Sequence, residues 1–246
     1  MIDMTENIEA IFLDLGNTLR ILLNDEEHMQ RARQEIVRLV GTDEDPVAFC
    51  AKLEERYKGY RKWAFTELSE ASEQELWTRW LAPDFPPEKI APLGGELTFQ
   101  FRQSKGRRVL VEGGREVVLE LHKRGYVLGI ISNLIGTREI PEWLKADGFE
   151  PYFKSVLLSS VYGRRKPHPS IYLEAARRAG VEPVKCVYVG DNLKRDVTGT
   201  RDAGFGMVII MISPEELAEA EITDENRPDL IIHRFRQLLD IFPGGK

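Results

Sequence analysis

The chain has only two cysteines and no long apolar run. Cys50 and Cys186 lie far apart and form no CxxC pair, so the sequence offers neither a disulfide framework nor a cysteine zinc site and fits a reducing compartment. No stretch approaches the roughly 20 apolar residues of a membrane-spanning helix, and the opening residues MIDMTENIEA lack the pattern of a secretion signal. These absences predict a cytoplasmic protein without a membrane partner.

Basic residues do not exceed acidic ones. There are 34 lysines and arginines against 40 aspartates and glutamates, which gives a net charge of -6, and no long basic run. This balance argues against nucleic acid as a partner. The four histidines show no metal-ligand spacing. With 246 residues, the chain is long enough for one α/β domain with an insertion or for two modest domains.

Short apolar runs rich in β-branched residues alternate with amphipathic helical patterns over much of the chain. Such alternation is typical of a parallel, doubly wound sheet, so we predict an α/β fold of this class. The predicted strands are 8–13, 127–131, 155–158, 186–189, 207–211 and 230–232. The helices predicted between and after them are 114–123, 137–147, 169–179, 193–203 and 235–241.

A helical block follows the first predicted strand. The segments 25–40, 46–63 and 72–81 are amphipathic, and the last opens with a plausible capping box. Strand patterns are scarce from Leu23 to about Lys105. The block therefore predicts an insertion between the first turn after the strand and the rest of the sheet.

The first predicted strand ends in a single carboxylate, in the stretch IFLDLGNTLR. A charge at the end of a buried strand is costly unless something pairs with it. Asp14 therefore either caps the turn that follows, as aspartate before Gly-Asn commonly does, or takes part in chemistry. The stretch by itself leaves both interpretations open.

Three further strand ends also carry polar groups. They are Ser132-Asn133, the loop 162–167 with Lys166, and Gly190-Asp191-Asn192 continuing to Asp196. Each alone fits a turn, a helix cap or a solvated charge. Ligands bind outside the carboxyl ends of the strands in such sheets, so the four ends together predict a site for phosphate and metal.

With these motifs the chain resembles the haloacid dehalogenase superfamily, hydrolases that use an aspartate nucleophile. The motifs of that family are similar to Asp14-x-Gly16-x-Thr18, Ser132-Asn133, Lys166-Pro167, and Gly190-Asp191 with Asp196 five residues on. The resemblance implies a Rossmann-like core domain of residues 1–20 and 106–246. It also implies a helical cap domain of the C1 type, residues 21–105, that closes over the site.

The resemblance further implies a role for each motif. Asp14 would be the nucleophile that forms an aspartyl phosphate, with Lys166 as a second catalytic residue. The cofactor would be Mg²⁺, bound by Asp14, Asp191 and the backbone carbonyl of Gly16. The residues implied in phosphate binding are Thr18, Ser132, Asn133 and Lys166. Those implied in a supporting role are Asp196 and Asn192.

Electrostatics agree with these implied roles. A carboxylate that attacks a phosphate dianion meets a repulsion of about 4 kcal/mol per unit pair at about 4 Å and an effective dielectric constant of about 20, hence about 8 kcal/mol in total. Mg²⁺ and the Lys166 ammonium would offset this repulsion. The implied substrate is a small phosphorylated metabolite, and Arg20, Arg165 and Glu67 are candidates for contacts with it.

Gly16 departs from the family pattern. Most phosphatases that the chain resembles carry a second aspartate there as general acid and base, a role usually worth about 10²–10⁴ in rate. Haloacid dehalogenases also lack that aspartate and need no metal, but they typically lose the Gly-Asp of the fourth motif, which this chain keeps. The sequence therefore favours a phosphatase. The alternatives are a metal-independent 2-haloacid dehalogenase and a catalytically weak binding protein, and the segment Glu67–Glu70 is a candidate source of the missing acid.

Overall fold

A computed structural model describes residues 5–244 of the chain. The first four and the last two residues of the predicted core domain, which include part of the opening segment searched for a signal, lie outside the described residues. The strands are β1 (Ala10–Leu13), β2 (Arg20–Leu23), β3 (Arg107–Leu110), β4 (Val127–Ser132), β5 (Phe153–Leu158), β6 (Cys186–Gly190), β7 (Met207–Met211) and β8 (Leu230–Ile232).

Six of these strands form one parallel sheet in the order β5-β4-β1-β6-β7-β8. In the middle, β1 is buried at every residue, with Leu13 level with Ile130 of β4 and Val189 of β6. A parallel strand covered on both faces has to be apolar on both sides, which explains why its sequence AIFL shows no alternation. The predicted α/β, Rossmann-like fold class is confirmed.

Helices fill the connections between the strands. They are α1 (Glu26–Val40), α2 (Pro46–Glu67), α3 (Glu73–Glu75), α4 (Pro87–Ile90), α5 (Gly94–Gln103), α6 (Gly114–Lys123), α7 (Glu139–Ala146), α8 (Ser159–Tyr162), α9 (Pro169–Ala179), α10 (Arg195–Asp202), α11 (Pro214–Glu219) and α12 (Leu238–Ile241). Short 3₁₀ helices cover Ala91–Leu93, Glu150–Tyr152, Pro183–Lys185 and Phe235–Gln237. Within residues 5–244, no helix combines the length and the apolar character needed to cross a bilayer.

Helices α1 to α5 lie between β2 and β3, and we call residues 26–103 the helical insertion. It has an apolar core of its own, which includes Phe49, Trp77 and Phe101 and is separate from the cluster beneath the sheet. The strands on either side of it, β2 and β3, pair antiparallel in a two-stranded ribbon. The predicted boundary between residues 20 and 21 falls inside this ribbon, and the division into two domains stays a prediction.

The structure departs from the sequence-based prediction in and beside the helical insertion. The segment predicted as one helix over 72–81 is the single turn α3 followed by a π-helix, Leu76–Leu81, because apolar spacing does not distinguish a π turn from an α turn. The short strands β2 and β3 were not predicted. They are only partly buried, so no apolar alternation marks them.

Candidate active site

Asp14 lies at the edge of the sheet where the parallel strands end. It directly follows β1, and its backbone N–H donates to the Val189 carbonyl of β6 over 2.8 Å, which extends the ladder one residue past the strand. The residue is only 4 % exposed. The central position of β1 in the sheet therefore determines where this carboxylate lies.

Each oxygen of the Asp14 carboxylate accepts two hydrogen bonds. Oδ1 accepts from the backbone N–H of Leu15 at 2.7 Å and from the Ser132 hydroxyl at 2.9 Å. Oδ2 accepts from Lys166 Nζ at 2.6 Å and from Arg195 Nη2 at 3.2 Å. Three of the four donors come from other strand ends, so the charge of Asp14 is paired across the site and does not merely cap a turn.

Lys166 is completely buried beside Asp14. Besides Asp14, its ammonium group contacts the Tyr188 hydroxyl and lies 3.3 Å from Asp196 Oδ1. A lysine ammonium has three N–H donors, and Asp14, Tyr188 and Asp196 provide one acceptor for each. The Tyr188 hydroxyl in turn donates to the Ile131 carbonyl at 3.0 Å, so this partner of the ammonium group is itself fixed by a hydrogen bond.

The side chain of Asn133 fixes the loop that carries Lys166. Its Oδ1 accepts from the Lys166 backbone N–H at 2.8 Å, and its Nδ2 donates to the Lys166 carbonyl at 3.0 Å. This reciprocal pair connects the end of β4 to a residue 33 positions later in the chain. Asn133 therefore positions Lys166 against Asp14.

Arg195 joins the carboxylates of Asp191 and Asp196. Its Nη2 lies 3.0 Å from Asp191 Oδ1 and 2.9 Å from Asp196 Oδ2, and its Nε lies 2.8 Å from Asp196 Oδ1. Burial, together with the like charge of Asp14, raises the pKa of Asp191 above its ordinary value, and Arg195 offsets part of this. Burial also acts to raise the pKa of Asp196, but Lys166 and Arg195 outweigh it and hold that pKa below its ordinary value.

The three carboxylates Asp14, Asp191 and Asp196 form a group suited to a divalent cation. Each offers one oxygen, and these oxygens lie within 4.8 Å of one another. Carboxylate oxygens are ligands that Mg²⁺ prefers, so the donor set fits this ion. Asp196 is wholly buried and also accepts from the Asn192 backbone N–H at 3.1 Å, whereas Asp191 is partly exposed. Asp191 is therefore the most accessible of the three carboxylates.

The two glycines of the predicted motifs differ in the space around them. A Cβ at Gly190 would collide with the Asp196 carboxylate and would lie 2.8 Å from Tyr188 Cε1, so only glycine fits there. A Cβ at Gly16 would meet no atom within 4 Å. Thr18 is wholly buried, and its hydroxyl has no hydrogen-bond partner among the residues described.

A cavity of about 240 Å³ opens beside these residues. Its lining includes Gly16, Ser132 and Asn133 from the predicted motifs, and three arginines, Arg20, Arg102 and Arg108. Of the three predicted substrate contacts, Arg20 lines this cavity. Arg165 is buried and pairs instead with Glu70, which also accepts from the hydroxyls of Tyr60 and Ser159. Glu67 lies exposed at the end of α2.

Sequence reasoning missed Arg102 and Arg108 of the cavity lining, and it missed three residues around the carboxylates and Lys166. Tyr188 and Arg195 contact Lys166 and the carboxylates as described above, and Asn17 Nδ2 donates to Asp191 Oδ2 at 3.1 Å. Asn17 adopts a left-handed backbone with φ of 53°, which asparagine tolerates better than most residues. The spacing of Arg195, four residues after Asp191 and adjacent to Asp196, was the one available signal. Nothing in a buried strand sequence marks Tyr188 as a partner of Lys166.

The sequence profile of haloacid dehalogenase-like hydrolases matches residues 8–204, four-fifths of the chain. The chain therefore belongs to the haloacid dehalogenase-like hydrolase family, and the predicted membership and hydrolase class are confirmed. The matched range begins just before β1 and contains the helical insertion and every strand end that bears a predicted site residue.

Curated relatives match about half of the chain. The glyceraldehyde 3-phosphate phosphatase of Methanopyrus kandleri is 35% identical over 125 residues, which are 50% of this chain and 52% of that protein. The haloacid dehalogenase-like hydrolase domain-containing protein 3 of Homo sapiens is 33% identical over 130 residues, which are 53% of this chain and 50% of that protein. The chain thus spans about half the length of the curated relatives it matches.

Solved structures match nearly the whole chain in fold. A 2-haloacid dehalogenase from Pseudomonas syringae pv. Tomato DC3000 has a TM-score of 0.68 at 21% identity and covers 95% of this chain and 97% of its own. A HAD phosphatase from Thermococcus onnurineus has a TM-score of 0.61 at 22% identity and covers 96% and 99%. Since both a dehalogenase and a phosphatase share the fold, the fold does not choose between these activities.

Proposed function

We propose that this hydrolase is a Mg²⁺-dependent phosphatase that acts on a small phosphorylated metabolite. The observation that carries the proposal is the approach of a second carboxylate, Asp191, to the nucleophile candidate Asp14. Two carboxylates at one site repel each other and an incoming phosphate, and a divalent cation bound between them would offset this repulsion. An attack on the carbon of a haloacid needs no such ion.

In the proposed reaction, a carboxylate oxygen of Asp14 attacks the phosphorus atom, and the bond from phosphorus to the ester oxygen breaks. The leaving alkoxide takes up a proton from water to become the alcohol, and a second water then hydrolyses the aspartyl phosphate, which releases inorganic phosphate and regenerates Asp14. Bound Mg²⁺ would supply charge neutralisation between Asp14, Asp191 and the phosphate.

The residues around Asp14 support this chemistry. Lys166 and Ser132, which hold the two oxygens of Asp14, place a positive charge and a hydroxyl donor where phosphate oxygens would lie in an attack on phosphorus. Thr18 offers a buried hydroxyl without a partner in the described range, as a group that awaits an acceptor would. We assign the phosphate-binding role to Ser132, Lys166, Thr18 and the backbone amide of Asn133.

Relatives and composition support the remaining parts of the proposal. The first curated relatives act, by their names, on glyceraldehyde 3-phosphate, a small phosphate ester. The cavity of about 240 Å³ is smaller than the roughly 300–1,000 Å³ of sites for drug-sized ligands, which favours a substrate of this size. Cys50 and Cys186 are both buried and free, which supports a reducing, cytoplasmic location.

The test measures phosphate and chloride release by the purified protein. Phosphate release is measured on a panel of small phosphate esters, and chloride release on 2-chloropropionate, each with Mg²⁺ and with EDTA. We expect phosphate release that requires Mg²⁺ and is lost in Asp191→Asn, while Asp202→Asn, an exposed carboxylate on α10, serves as control. Chloride release undiminished by EDTA would overturn the proposal in favour of a dehalogenase. Mg²⁺ binding without any turnover would favour a binding protein.

A further inference from the structure

Three arginines converge on the wall of the active-site cavity. Arg20 belongs to β2, Arg108 to β3 and Arg102 to α5, and all three line the same cavity as Gly16 and Ser132. Their side chains are 8 %, 19 % and 14 % exposed, in that order. Guanidinium groups stay charged at any physiological pH, so these are three largely buried positive charges.

A single carboxylate is shared among the three. Glu139 Oε1 lies 3.0 Å from Arg20 Nη1 and 4.0 Å from Arg108 Nε, and its Oε2 pairs with Arg102. The nearby Asp147 accepts from the Trp143 indole at 2.7 Å and attracts Arg20 from a distance, but it forms no direct ion pair with these arginines. The contacts of the cluster thus leave an excess of two positive charges on the cavity wall.

The cluster is held in place but not fully paired. Arg20 stacks over the Trp143 ring at 4.6 Å, and its Nη2 donates to the Arg108 carbonyl at 3.0 Å. The Nε of Arg20, a residue only 7 % exposed, is buried with no hydrogen-bond partner among residues 5–244. Burial, and after it the neighbouring Arg102, lower the pKa of Arg108 to about 10 against the attraction of Glu139. A buried and under-paired cationic cluster is suited to an anion from outside the chain.

The cavity connects this cluster to the phosphate chemistry. Ser132, which donates to Asp14, and Asn133, which positions Lys166, line the same cavity of about 240 Å³ as the three arginines. A small ester whose phosphate lies at Asp14 and whose other end occupies this cavity would therefore reach the arginines. A group at its far end that carries negative charge would meet guanidinium donors.

We propose that Arg20, Arg102 and Arg108 form a subsite for a second anionic group, so that the preferred substrate is a small phosphate monoester that also carries a carboxylate or a second phosphate. The inference rests on the proposed phosphatase function, and it names the class of metabolite on which that function acts. Glu139 orients the arginines and limits their mutual repulsion without neutralising them.

The first test compares matched pairs of esters on the wild-type protein. 3-Phosphoglycerate and glycerol 3-phosphate differ only in a terminal carboxylate against a hydroxymethyl group, and propane-1,3-diol bisphosphate and its monophosphate differ only in a second phosphate. We expect kcat/KM to favour the second-anion member of at least one pair by roughly 10- to 100-fold, the size of one charge-assisted hydrogen bond. The pair that shows the larger ratio identifies the group.

The second test removes one charge from the cluster. Arg108→Gln is chosen because Arg108 is the arginine farthest from Glu139, and we expect it to lower the preference ratio by about 10-fold, chiefly through KM. Arg108→Lys keeps the charge and is expected to restore part of the ratio. Arg107→Gln is the matched control, since Arg107 precedes it on β3, is 54 % exposed and pairs with Asp25. The control is expected to keep the wild-type ratio.

The outcomes separate this inference from the proposed function. Turnover of both members of each pair with equal kcat/KM overturns the subsite and leaves the phosphatase intact. Absence of turnover for every ester overturns the phosphatase, and calorimetric dissociation constants of the same pairs then decide the subsite, with equal affinities against it. An Arg108→Gln variant that does not fold leaves the wild-type ratio as the deciding measurement.

Discussion

Arg195 Nη2 lies 3.0 Å from Asp191 Oδ1, and the same nitrogen lies 3.2 Å from Asp14 Oδ2. One guanidinium thus bridges the two carboxylates that we assign to Mg²⁺. The side chain of Arg195 is 22 % exposed, so solvent reaches part of it. A divalent ion and a guanidinium compete for the same oxygens, because each neutralises the same negative charge.

This relationship predicts that Arg195→Gln tightens Mg²⁺ binding. Removal of a competitor that contributes about 1.5 kcal/mol, the lower end for hydrogen bonds to charged groups, should lower the Mg²⁺ dissociation constant roughly 10-fold. Isothermal titration calorimetry measures this without turnover. Arg201→Gln, an exposed arginine on the same helix, is the control. Unchanged or weaker Mg²⁺ binding by Arg195→Gln would show that Arg195 does not compete with the ion.

Asp14→Asn should abolish turnover while the fold persists. The amide keeps an oxygen that accepts from Leu15 and Ser132 but loses the nucleophilic charge. A beryllium fluoride complex, which mimics an aspartyl phosphate, should raise the melting temperature of the wild type in the presence of Mg²⁺ by mass action and leave that of the variant unchanged. Equal stabilisation of both proteins would place the chemistry on another residue.

Gly16→Asp should supply the missing proton-transfer group. The structure offers room, because a Cβ there meets no atom within 4 Å and the backbone is not left-handed, so the melting temperature should change little. Turnover of a sugar phosphate should rise roughly 10- to 10³-fold, and that of p-nitrophenyl phosphate less, since nitrophenolate leaves without a proton.

Gly16→Asn is the matched control for this gain, as it has the same shape without an ionisable group. A folded aspartate variant that is no faster than the asparagine variant would mean that another group already supplies the acid. Glu67 would then be tested before Glu70, because Glu67 is exposed whereas Glu70 is committed to Arg165.

Glu139→Gln should destabilise the protein at neutral pH and do so less at acid pH. Loss of the one carboxylate among three buried arginines should cost about 3–5 kcal/mol of the free energy of unfolding. Burial acts to raise the pKa of Glu139, but Arg102 and Arg108 outweigh it and hold the pKa below its ordinary value of 4.5. The stabilisation of the fold by ionised Glu139 is therefore fully present above pH 4.5 and is lost as the pH falls through the folded-state pKa of this residue.

Urea unfolding of wild type and variant between pH 7 and about pH 3 measures this difference. Glu142→Gln, an exposed carboxylate on the same helix, is the control and should change stability by less than about 1 kcal/mol. A gap between wild type and Glu139→Gln that stayed constant to the lowest pH would contradict the assigned ion pairs.

The sequence by itself determined the class of sheet, most of its strands and the polar residues at their ends. Buried parallel strands are short continuous apolar runs, so β1, β4, β6 and β7 could be placed within one or two residues. Burial in the apolar core does not explain polar residues at the ends of such runs. Asp14, Ser132 and Asp191 could therefore be predicted to meet, because parallel strands bring their carboxyl ends to one edge.

Only the tertiary structure decided which charges share that edge and what surrounds them. Arg195 reads in the sequence as an ordinary helix residue, yet it lies among three carboxylates. Arg20, Arg102 and Arg108 belong to a ribbon and a helix of the insertion, and Glu139 to a helix 31 residues after Arg108. Their convergence depends on the antiparallel pairing of β2 with β3, two partly exposed strands more than 80 residues apart. Such pairing is set by packing between distant segments, and local periodicity carries no record of it.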